Sequence, residues 1–138
     1  MKLSEIKNLT APQKVRAWII SSACRLYDLS EPEFLTDDFD EFYDDFEEEF
    51  PDAIQDAESE CRYDGVECNL DLGIQSRHYE IDTKAQQMLD GTWVAWPYFY
   101  GGGKYGEPES YDWISEAKNV NCKEIEVTKI EYDFSICE

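Results

Sequence analysis

Residues 36–50, TDDFDEFYDDFEEEF, admit few ways of folding. Phe39, Phe42, Tyr43, Phe46 and Phe50 recur at short helical spacings, which gathers the aromatics on one stripe of an amphipathic helix and turns the acids outward. Thr36 is the expected N-cap, and acids in the first turn suit the helix dipole. Glu47, Glu48 and Glu49 in the last turn oppose that dipole and one another. Pro51 stops or kinks the helix and can stand early in another short helix over about 52–61. The pattern leaves open whether 37–61 is one kinked helix or two.

The charge around this segment is uneven. Residues 28–60 hold sixteen acids and no base, residues 1–27 hold five bases and one acid, and the 138-residue chain has a net charge of −20. Self-repulsion of that size destabilises the compact state, keeps the chain soluble and favours positively charged partners. Nucleic acids and anionic membranes need positive patches, so neither is an expected direct ligand. With 42% hydrophobic and 14% aromatic residues there is enough apolar material for one core, and a single domain over 1–138 is expected. No apolar run reaches 18 residues and the first residues lack a long apolar core, so a cytoplasmic protein without a membrane span is expected. The five cysteines form no CxxC pair, which points to buried free thiols in a reducing compartment rather than a disulfide framework or a zinc site.

Elsewhere the period tells helix from strand. Thr10 and Gln13 form a capping box with Pro12 in the first turn, opening a helix over about 11–26 with Val15, Trp18, Ile19, Ala23 and Leu26 on one face. Leu3 and Ile6 should pack against it, and Ser30 to Glu33 reads as a second capping box. After Tyr63-Asp64-Gly65 the period becomes 2. Val66, Cys68, Leu70, Leu72 and Ile74 predict a strand, followed by strands 79–89 and 92–100 around an Asp90-Gly91 type I′ hairpin, with a helix over 83–89, TKAQQML, as the alternative. Ser110 is a candidate N-cap for a short helix carrying Trp113, Ile114 and Ala117. A last strand over 124–136 changes phase near Thr128-Lys129, which suggests a bulge. The predicted fold is therefore α+β, with N-terminal helices on a mostly antiparallel sheet of about four strands.

Little in the sequence points to catalysis. His78 has no nucleophile motif around it, and an enzyme would need a deep pocket there with convergent carboxylates. Gly101-Gly102-Gly103-Lys104 lacks phosphate-loop spacing. Asn69-x-Asp71-x-Gly73 is a fragment of a calcium loop inside an expected strand, so no cofactor or metal is predicted. Trp96, Tyr98, Tyr100 and Tyr105 could form an aromatic surface for a protein or a sugar, although Pro97 argues for an edge strand. The acidic helix is the leading candidate, with Asp37, Asp38, Asp40, Glu41, Asp44, Asp45, Glu47, Glu48 and Glu49 making partner contacts. These acids have no lysine or arginine neighbours for i,i+4 pairing, and ridge neighbours lie about 5–6 Å apart at Cβ.

The segment TWVAWPYFYGGGKYGEPESYDW, Thr92 to Trp113, resembles a motif of small phage- or prophage-encoded proteins to which no activity attaches. In charge character, without an alignable motif, the acidic half is similar to DNA-mimic inhibitors that phages use against nucleases and restriction or CRISPR systems. That resemblance implies a non-enzymatic inhibitor whose partner is a basic nucleic-acid-binding protein.

Overall fold

In the computed structural model, which describes residues 1–137, helix α1 (Ala11–Tyr27) begins as its capping box requires. The Thr10 hydroxyl accepts from Gln13 N–H at 3.3 Å, and Gln13 returns the favour to Thr10 N–H at 2.9 Å. Val15, Ile19 and Ala23 of the expected face are fully buried, Trp18 is half-buried, and Leu26 is exposed in the last turn. Leu3 sits in a 3₁₀ turn (Leu3–Glu5) and, with Ile6, closes one end of the core.

Helix α2 (Phe39–Glu49) and helix α3 (Pro51–Asp64) are separate, divided at Phe50, whose extended φ of −130° breaks the helical path ahead of Pro51. Helix α3 continues past the expected end at Cys61. Helix α2 is capped by Asp38, which accepts from Glu41 N–H at 3.2 Å. Thr36 is therefore not the cap; its hydroxyl accepts from Asp38 N–H instead. The expected capping box at residues 30–33 opens no helix. Glu31 and Glu33 bind the other end of the chain, accepting from Leu3 N–H and from the Met1 amino group, each at 3.2 Å.

The antiparallel sheet has the order β1 (Val66–Glu67), β2 (Glu80–Gln87), β3 (Trp93–Tyr100), β4 (Lys118–Val120). This is an α+β fold with helices N-terminal to a four-stranded sheet, as predicted. The longest pairing joins β2 and β3, from Glu80↔Tyr100 to Gln87↔Trp93. Their connection differs from the expected type I′ turn. Asp90 keeps a negative φ, only Gly91 is left-handed (φ 86°), and Gly91 N–H bonds Met88 C=O at 3.0 Å. This is a three-residue loop in which a type I turn ends in a glycine bulge. Lys14 ties α1 to the hairpin and to β4, donating to Asn119 Oδ1 at 2.9 Å and lying 3.8 Å from the Asp90 carboxylate.

Three expected elements take other forms. The strand over 66–74 pairs only at Val66 and Glu67, with one further bond from Cys68 N–H to Thr83 C=O, and then runs unpaired. Ser110 closes a 3₁₀ turn (Pro108–Ser110) instead of opening a helix, yet Trp113, Ile114 and Ala117 are buried as expected. The strand expected over 124–136 forms no ladder, so there is no bulge at Thr128-Lys129, and Lys118–Val120 supplies the fourth strand.

Candidate functional site

Helix α2 lies on the core through Phe39, Tyr43 and Phe46, each buried, with Phe42 half-buried against Phe34 at 5.2 Å between ring centroids. Burial pushes the Tyr43 phenol well above its ordinary range, and the carboxylates of Glu58 and Glu47 add to the shift. Arg16 stands 5.7 Å over the Tyr43 ring. The anchor is thus aromatic and un-ionised.

Everything the helix turns outward is acidic. Asp37, Asp38, Asp40, Glu41, Asp44, Asp45, Glu47, Glu48 and Glu49 are all exposed, and none forms an ion pair with a base among the described residues. Two have local duties: Asp38 caps the helix, and Asp40 accepts from the Gln13 amide at 3.3 Å. With about 100° of rotation per residue, the seven acids within α2 cover an arc of roughly 200° of its surface. Helix α3 is treated differently. Its Glu60 binds Arg25 at 2.9 Å, and its Asp56 accepts from the Tyr27 hydroxyl at 2.5 Å, so α1 gives an ion pair to α3 and none to α2.

The aromatic strand does not form the surface its sequence suggests. Trp96 is completely buried, 5.6 Å from Trp18 and 5.4 Å from Trp113 between ring centroids, with its indole N–H donating to Arg62 C=O. It is a core residue, because the strand phase that carries it faces α1. Tyr98 and Tyr100 are half-buried, and Tyr105 stands apart at 89% exposure on the glycine loop. Tyr98 is occupied by cations from elsewhere in the chain. Arg62 lies 4.4 Å over its ring, and Lys84 is 4.5 Å from both Tyr98 and Tyr63. The Tyr100 phenol is raised by its hydrogen bond to Glu80, with burial and Asp82 contributing. No local spacing could have announced this cluster, since Arg62 and Tyr63 arrive from α3 and Lys84 from β2.

The remaining candidates are separated from one another. His78 is exposed in a bend, where its backbone N–H bonds the Ser76 hydroxyl. Gly102 takes φ 86° beneath Tyr79, where an added Cβ would collide with the ring, so the glycine loop is shaped by packing. Asp71 makes a tight turn by accepting from Gly73 N–H, and no group of three or more metal-ligating side chains occurs among the described residues. Cys24 and Cys61 are buried, Cys68 is intermediate, and Cys122 and Cys137 are exposed, so the thiols are not uniformly interior. No helix among the described residues is long and apolar enough to cross a membrane.

No family model, curated protein or solved structure matches this chain.

Proposed function

We propose that this chain is a non-enzymatic, phage-type inhibitor whose residues 37–49 imitate the charge of a nucleic acid and occupy the groove of a basic nucleic-acid-binding protein. The observation that carries this reading is the nine exposed acids of residues 37–49 without a basic partner, seven of them on a helix fixed to the core by buried aromatics. Eleven residues at 1.5 Å rise give α2 a length of about 16 Å, so its seven acids supply roughly one charge per 2.4 Å, against about one per 1.7 Å for duplex DNA. Such a surface attracts a basic groove over long range and loses its hold as salt screens it.

The test is a pull-down from bacterial lysate at increasing salt, repeated with duplex DNA as competitor. A nucleic-acid enzyme should be captured at low salt, displaced by the DNA, and missed by the D37K/E41K/D44K/E48K variant. Capture that this variant retains, or that ignores both salt and DNA, overturns the proposal. The aromatic reading gains no support from the buried Trp96.

A further inference from the structure

Side chains of a strand alternate between the two faces of its sheet. Val94 and Trp96 of β3 join the core with α1, so Trp93 and Ala95 point to the face away from the helices. That face is walled by two extended stretches, residues 66–70 on one side and 120–123 on the other. Between them runs a groove of about 230 Å³ lined by Val66, Cys68, Leu70, Ala85, Trp93 and Val120. Its wall is mostly apolar, with Glu67, Asn69, Asn121 and Lys123 interspersed, and open to solvent, with Val66 at 55% and Leu70 at 45% exposure.

Directly beyond Val120 the chain has the complementary character. Residues 121–137 run without helix, ladder, turn or bend and form no backbone hydrogen bond with any other described residue. Ile125, Val127, Ile130, Tyr132, Phe134 and Ile136 stand 72% to 93% exposed. Tyr132 and Phe134 stack at 6.2 Å and 27°, as two residues apart on one face of a strand should. An unpaired strand with exposed large apolar side chains is a template for association.

We infer that residues 124–136 form a strand that seats against this groove in a second copy of the chain, two copies exchanging these segments about a two-fold axis. One chain carries both the apolar strand and the apolar groove. Within its own chain the strand leaves the groove unfilled, since Ile125, Val127, Ile130, Tyr132, Phe134 and Ile136 all stay exposed. Reciprocal exchange satisfies both surfaces and closes the assembly. The strand joins an existing four-stranded sheet, so it avoids the marginal stability of an isolated ribbon. At on the order of 100–200 Å² each, the four side chains of one phase, Ile130, Tyr132, Phe134 and Ile136, expose roughly 600 Å² per copy, enough for two copies to reach the ~1,200 Å² lower end of a specific interface. Charge favours this face as well. Helix α2 packs on α1 and α3, behind the opposite side of the sheet, so exchange keeps the two acidic helices apart.

This inference stands independently of the proposed inhibitor function, and salt separates the two: screening weakens capture of a basic partner and strengthens association of two like-charged copies. Sedimentation velocity on the full chain at micromolar concentration should give twice the mass of one chain, with the dimer fraction larger at high salt. The I130E/F134E double variant should halve that mass while keeping the near-ultraviolet circular dichroism of its buried tryptophans. Hydrogen exchange should show amides of 124–136 protected in the parent chain and unprotected in the variant. A monomer at every salt concentration, a dimer that survives the double substitution, or a monomer whose 124–136 amides are protected by its own groove would each overturn the inference.

Discussion

Trp96 separates a core residue from a recognition residue within one strand. It packs between Trp18 and Trp113, so Trp96→Ala is a large-to-small core change expected to cost about 3–5 kcal/mol, read from urea denaturation. A loss below about 1 kcal/mol would show that the indole is not core. The cysteines offer a second check. Burial, outweighing the Ser22 hydrogen bond, pushes the Cys61 thiol up to about 12, so almost no thiolate forms at neutral pH. Cys122 and Cys137 should label with a thiol reagent first in the native protein, and Cys24 and Cys61 only on unfolding. Labelling of all five at one rate would contradict this burial. Glu58 is a third case. Burial, then the carboxylates of Glu47 and Asp112, raise its carboxyl, and Arg16 opposes them. A raised carboxyl stabilises the fold below its unfolded pKa and loses that contribution as pH climbs through the folded value. Ionised Glu58 therefore costs stability at neutral pH. Glu58→Gln should raise Tm at neutral pH and leave it unchanged below about pH 4.

At the scale of elements, α2 carries a conflict between stability and the proposed role. Glu48 and Glu49 lie at its negative dipole end, four residues after Asp44 and Asp45. E48K/E49K removes two like-charge pairs, creates two favourable ones and suits the dipole, so stability should rise by about 1 kcal/mol, measured as a higher Tm. The same change should weaken capture of the basic partner. A Tm that falls would mean these acids have stabilising contacts. The helix was legible because five aromatics at helical spacing allow one buried stripe. Its start was not, because Thr36 and Asp38 are both competent caps, and burial of Phe39 as the first helical residue favours Asp38. Period-2 alternation likewise identified strand-like chain at 66–74 and 124–136 without supplying ladders, since alternation records which faces a strand has and not which edge receives it.

For the molecule as a whole, a net charge of −20 opposes the compact state. Sodium chloride should raise the Tm of the parent chain, and the rise should be smaller in D37K/E41K/D44K/E48K, where fewer like charges crowd α2. An equal rise in both would place the repulsion elsewhere in the chain. The sequence by itself determined the α+β class, because a period of 3.6 before Gly65 and of 2 after it dictates helices followed by strands. It also determined the acidic face of α2, because aromatics and carboxylates at helical spacing separate across one cylinder. Tertiary structure decided which acids keep no ion pair: α1 brings Arg25 and Tyr27 to acids of α3, and its one base beside α2, Arg16, stands over the Tyr43 ring instead. It decided that Trp96 is core, since either phase of β3 could have met the helices. The physical reason is that local periodicity fixes only how side chains divide between the faces of an element. Which face is covered, and which charge is paired, depends on residues distant in sequence that only packing brings together.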